Sequence, residues 1–216
     1  TGTADPFGQR RAALGVVQLL LGRELDFDLR VGLQAAAALQ PVAADTAVDQ
    51  AVEFVARRLR GVLREEGYRP DVVEAALAVQ GCNPWRVQQA AEQLSAWMVR
   101  SDWQLTLDAF ARCVRIIPND ETTAVPDSNL FIDDAEHGLW EVIQAAQSAL
   151  AARSGQPSVD DFLSAFSTTI PAINRFFDTV LVMEKDAAVR VNRLALLRRV
   201  AAIADGTVDL SKLEGF

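Results

Sequence analysis

Histidine occurs once in this 216-residue chain, cysteine and methionine twice each, and tyrosine once. With His137 alone, a metal centre built on several histidines or a two-histidine mechanism is excluded within the chain. Cys82 and Cys113 stand far apart and outside any metal-ligand spacing, which fits a reduced, cytoplasmic setting better than a disulfide framework. No apolar run approaches the length of a membrane span, and the start carries no secretory signal. The chain opens on Thr1 rather than methionine, as a piece of a longer protein would. GxSxG, P-loop and strand-following GxGxxG motifs are missing as well. The pairs Asp133-Asp134 and Asp160-Asp161 suit the N-terminal ends of helices rather than an acid/base pair. No residue is therefore assigned as catalytic, and none as a metal ligand.

Hydrophobic residues make up half of the sequence and charged residues 23%, the balance of a packed globular protein. The net charge is −8. Residues 1–98 carry 10 basic and 12 acidic side chains, and residues 99–216 carry 11 and 17, so any contact with RNA needs a local patch in an acidic background.

The apolar residues follow the helical period and not strand alternation, which predicts an all-α protein. Helices are expected over 8–21, 28–39 (ended by Pro41), 46–66 (closed by Gly67) and 71–79. The stretch "NPWRVQQAAEQLSAWM" adds another, with Asn83 as N-cap and Pro84 at the first helical position. A second unit begins near Ser101, with Asp102 capping a helix striped by Trp103, Leu107, Phe110, Val114 and Ile117. The segment "PNDETTAVPDSNLFI" at 118–132 reads as the longest loop. Further helices follow over 134–152, 159–167 (Ser158 and Asp161 forming a capping box), 171–182 and 186–204, the last capped by Asp186 and ended by Gly206. The reading is a helical body over 1–98, an antiparallel bundle over 101–205, and a tail over 206–216. Trp85, Trp97 and Trp103 gather near the join, as a hydrophobic seam would.

Three arginine sets could bind phosphate. Arg57, Arg60 and Arg64 lie on one helix face, a spacing that suits consecutive phosphates and equally a solvated face on which Glu53 pairs with Arg57. Arg112 and Arg115 are one turn apart beside the long loop, with Asp108 four residues before Arg112. Arg190, Asn192 and Arg193 sit in a helix that is apolar in two sectors. Asn192 either bonds a neighbouring backbone or faces a ligand, and Asp186 is placed to hold Arg190.

Four strings, in order along the chain, carry a resemblance: "TGTADPFGQRRAALGVV" at 1–17, "RLRGVLREEGYRPDVVEAALA" at 58–78, "FFDTVLVMEKDAAVRVNRLALL" at 176–197 and "VDLSKL" at 208–213. Together they resemble the C-terminal part of the beta subunit of bacterial tetrameric glycyl-tRNA synthetase. The chain departs from that family's pattern at Arg112-Cys113-Val114-Arg115-Ile116 and by placing Gly206 in its last apolar segment. The resemblance implies that 1–98 is the tail of an HD-like helical body. It implies that 101–205 is an anticodon-binding bundle of the DALR type, related to that of arginyl-tRNA synthetase. It implies a ligase in which two alpha subunits carry aminoacylation, with ATP and Mg²⁺, and two beta subunits support tRNA binding. The fragment itself would hold no cofactor. Its partners would be tRNA-Gly and the alpha subunit, without a membrane. The RNA-binding candidates are then Arg112, Arg115, Arg190, Asn192 and Arg193, with Arg57, Arg60 and Arg64 secondary on the RNA backbone, and Arg193 is the foremost of the closing-helix trio. The competing reading is a helical scaffold that mediates subunit contacts without touching the anticodon.

Overall fold

The computed structural model describes Asp5 and residues 7–40, 45–118 and 124–216. Among them are ten α-helices and no strand: α1 (Gln9–Gly22), α2 (Leu29–Ala37), α3 (Asp45–Glu65), α4 (Pro70–Gln80), α5 (Pro84–Met98), α6 (Trp103–Arg115), α7 (Asp134–Ala151), α8 (Val159–Ser167), α9 (Ile170–Thr179) and α10 (Ala187–Ala201). Two expectations lie outside the described residues: Pro41 as a helix stop, and the middle of the 118–132 loop. The chain forms two compact units, one of Thr1–Ala96 with Val208–Gly215, the other of Trp97–Thr207 with Phe216.

The first unit is organised on α3. Its stripe of Val48, Val52, Val55, Leu59 and Leu63 is buried, and α1, α2 and α4 pack against it. Gly67 ends the element at φ 96°, a left-handed conformation in which the Tyr68 N–H reaches the Leu63 carbonyl at 3.1 Å. Asn83 caps α5 through the Arg86 N–H (3.2 Å), and its amide also donates to Asp26 (2.6 Å). The last segment returns to α4: Asp209 N–H donates to the Ala75 carbonyl (3.0 Å), and Glu214 N–H to the Asp71 carboxylate (3.0 Å).

The second unit closes around three phenylalanines. Phe110 meets Phe162 and Phe166 edge-on, with centroids 5.7 and 5.3 Å apart, and burying each such ring contributes about 1.5–3 kcal/mol. Trp97 and Trp103 are buried in this unit, and the Trp97 indole N–H donates to Asp160 at 2.9 Å.

Local signals were followed closely at some ends. Ser158 and Asp161 form the expected capping box, and Asp186 caps α10 through the N–H groups of Ala188 and Val189. Two expectations differ. Asp102 makes no side-chain cap, because Arg100 takes its carboxylate in a bidentate pair at 2.9 and 2.8 Å. The helix expected over 171–182 stops at Thr179, and Val180 is extended (φ −107°, ψ 123°). The apolar "VLVM" looks helical, but the Leu181 and Glu184 carbonyls turn instead to arginines on α10.

Ser158→Ala should therefore lower stability by about 1 kcal/mol in urea denaturation with little change in m. Asp102→Ala, which removes no cap, should cost clearly less in the same measurement.

Candidate nucleic-acid interface

At one end of the second unit the start of α7, the end of α9 and the start of α10 come together around a single carboxylate. Asp133 accepts from the Ala135 N–H (2.8 Å), while Glu136 reaches back to the N–H groups of Ile132 and Asp133 (2.9 Å each), completing a capping box. Glu136 is fully buried and also takes the Arg193 guanidinium, at 3.0 Å from Nε and 3.3 Å from Nη2. Arg193, 6% exposed, donates its Nη1 to the Leu181 carbonyl at 2.9 Å. Burial alone would raise the Glu136 pKa. The Arg193 guanidinium and the N–H groups of Asp133 and Ile132 outweigh it and hold the carboxyl below the usual carboxylate range.

Asn192 sits one residue away and is 4% exposed. Its Oδ1 accepts from the Asp127 N–H (2.7 Å) and its Nδ2 donates to the Asp127 carbonyl (3.0 Å), so the amide mimics a strand partner for one residue of the loop. Arg190 donates to the carbonyls of Glu184 (2.6 Å) and Lys185 (3.3 Å). It does not pair with Asp186 as its spacing suggested, because that carboxylate caps the helix. Arg193 and Asn192, expected from the sequence as RNA-contact candidates, have their polar groups engaged inside the bundle, where they shape its end. Arg190, half-buried, holds the 184–185 turn.

Arg112 and Arg115 are exposed on α6. Asp108, four residues before Arg112, takes the Gln104 amide instead (2.8 Å). The Arg112 guanidinium lies over the Phe177 ring at 4.2 Å, and that of Arg115 over Phe216 at 5.4 Å. A stacked guanidinium keeps its in-plane N–H groups pointing outward, so its charge is held in place without being neutralised. The secondary set behaves differently. Arg60 makes a bidentate pair with Glu74 (2.6 and 2.9 Å), Arg64 joins the same carboxylate (3.1 Å), and Arg57 lies 3.9 Å from Glu53.

Glu136 was missed by sequence reasoning, although the Asp133-x-x-Glu136 spacing carries the capping-box signal. Phe177 was missed for lack of any local signal, since it lies on a helix far from Arg112 in sequence. His137 is exposed and meets Phe131 edge-on at 5.1 Å. Burial pushes the Cys113 thiol up to about 12, so it is a packing residue rather than a nucleophile. Among the described residues no group of His, Cys, Asp and Glu could hold a metal ion, and no helix is long and apolar enough to cross a membrane.

The arrangement is thus an all-helical chain whose second unit presents fixed, exposed guanidiniums on α6. Comparison with known proteins identifies its family. The family model described as "Glycyl-tRNA synthetase beta subunit" matches residues 1–78. A "Glycine--tRNA ligase beta subunit" of Sulfurihydrogenibium sp. is 30% identical over 99% of this chain, and that of Aromatoleum aromaticum is 34% identical over 99%. "Glycine--tRNA ligase, chloroplastic/mitochondrial 2" of Arabidopsis thaliana is 32% identical over 100% of the chain. The chain belongs to the glycyl-tRNA synthetase beta subunit family. It spans 30%, 31% and 20% of the length of these three relatives, respectively.

Glu136→Ala strands the Arg193 charge and should cost about 3–5 kcal/mol in urea denaturation. Replacing both partners together by Leu and Met should cost less than Glu136→Ala alone. The folded Glu136 pKa lies below its unfolded value, which is that of an ordinary glutamate, about 4.3. Its stabilising contribution is therefore complete above that pH and is lost as pH falls below it, through the folded value. The stability gap between wild type and Glu136→Gln should shrink correspondingly on acidification below about pH 4.

Proposed function

We propose that this chain is the tRNA-contacting, C-terminal part of a glycine–tRNA ligase beta subunit, and that its second unit binds the anticodon arm of tRNA-Gly. Glycyl-tRNA synthesis, with ATP and Mg²⁺, falls to an alpha subunit, the partner in an assembly of two alpha and two beta subunits in the cytoplasm. The observation that carries this reading is the pair of exposed guanidiniums on α6, Arg112 and Arg115, each resting on an aromatic ring, in a chain related over nearly its whole length to beta subunits of that ligase.

In the proposed mechanism Arg112 and Arg115 meet backbone phosphates, and the Phe177 edge beside Arg112 offers apolar surface to an unstacked base. Glu136, Asn192 and Arg193 are positioning residues. They fix the turns around the end of the bundle and touch no RNA. Arg190 acts with them through the 184–185 carbonyls. Arg57, Arg60 and Arg64 contribute at most a diffuse field, since Glu53 and Glu74 offset two of their three charges.

Arg112→Glu/Arg115→Glu in the complete ligase should weaken tRNA-Gly binding at least about tenfold and lower the slope of log K against log salt by about 1–2. Glycine activation without tRNA should be unchanged. Unaltered tRNA affinity and salt slope would instead favour the scaffold reading, above all if assembly with the alpha subunit failed.

A further inference from the structure

The first unit carries an apolar surface that the tRNA reading does not use. Helix α1 has two apolar stripes. Ala13, Val17 and Leu20 are buried, facing the α3 side of the unit, while Ala12, Val16 and Leu19 repeat the same spacing one residue earlier. Of these, Val16 is 38% and Leu19 58% exposed. A helix apolar over both faces is ordinarily packed on both. Helix α3 repeats the pattern. Beside its buried stripe run Ala47, Ala51 and Phe54, again four and three residues apart and outside the core. Between the two outer stripes lies an open groove of about 600 Å³. Ala12, Ala13, Ala47 and Ala51 are among its small residues, and Val16, Phe54 and Val55 among its larger apolar ones.

We propose that this groove seats an amphipathic helix from the part of the same beta subunit that lies outside these 216 residues. Three observations select that occupant. Small residues flanked by larger apolar ones let a helix approach closely and insert aliphatic anchors at helical spacing. The relatives are longer than this chain by enough polypeptide to supply it, since the chain spans 31% or less of the three compared. Glu53 and Arg57 are the charged side chains of its lining and lie 3.9 Å apart, so the lining itself has no net charge to draw an RNA backbone into it, while Arg58 lies over the Phe54 ring outside the lining. The proposal uses family membership and the greater length of the relatives, and is independent of any tRNA contact by the second unit.

The test is carried out in the full-length subunit assembled with its partner. A photoreactive benzoylphenylalanine replacing Val16, Ala47 or Gln50 should crosslink to peptides of the same polypeptide outside these residues, several-fold above the yield at exposed Glu65. Crosslinks to a second copy of the subunit, to another protein or to tRNA would overturn the assignment, as would yields no higher than at Glu65. In parallel Val16→Glu, at an exposed position of the chain alone, should make the α1 amides exchange about tenfold or more faster in the full-length subunit. Unchanged exchange would also overturn it. Neither readout depends on tRNA binding, so failure here leaves the Arg112 and Arg115 reading standing.

Discussion

The buried pair of Arg193 and Glu136 is the interaction around which the end of the second unit is organised. Taking two charges out of water costs several kcal/mol per ion, and a lone contact between them does not recover it. The pair stands because nearly every polar atom has another partner. Glu136 accepts from two backbone N–H groups as well as the guanidinium, and Arg193 also donates to the Leu181 carbonyl. Each added bond fixes a different piece of chain: the entry to α7, the turn after α9, and α10 itself. The result is geometric specificity more than stability, because an apolar pair of similar volume could fill the space but would not set where three connections run.

Asn192 extends the same logic to the long loop. One amide satisfies both backbone groups of Asp127, so a segment that would otherwise carry unpaired polar groups at the bundle surface is tied to α10. The exposed apolar side chains at this end, Leu181 at 65% and Met183 at 54%, are carried on backbone that these polar residues hold. Binding surfaces are commonly loops held by a rigid scaffold, and here the scaffold's grip is a buried polar network rather than apolar packing.

What the sequence discloses follows from the range of the interactions involved. The helical class, the α3 stripe, the Ser158–Asp161 and Asp186 caps and the turn at Gly67 are decided within a few residues, and periodicity or spacing finds them. The early end of α9 is not decided locally: Val180 to Met183 favour a helix until arginines on α10 claim the carbonyls of that turn. Asp102 shows the converse, a correct local signal for a cap that a stronger local partner, Arg100, takes away. The polar trio on α10 was visible as an anomaly, but its destination was not. The partners of Asn192 and Arg193 lie 65 and 57 positions away, and no helical period reports on a contact at that separation.

The same distinction separates the arginines by role. Where a guanidinium meets a carboxylate, as at Arg60 with Glu74, Arg86 with Asp26, Arg69 with Asp71 or Arg100 with Asp102, charge is cancelled and the pair reads as architecture. Arg112 rests on a ring, whose quadrupole orients the guanidinium and leaves the full positive charge outside. Arg115 lies over Phe216 in the same way at a longer distance. In a chain of net charge −8, a phosphate approaching the surface is repelled over most of it, so the uncancelled cations decide where it can settle. Arginine abundance therefore says little about RNA binding here. The informative property is what each guanidinium leans on, and that is a fact of tertiary structure.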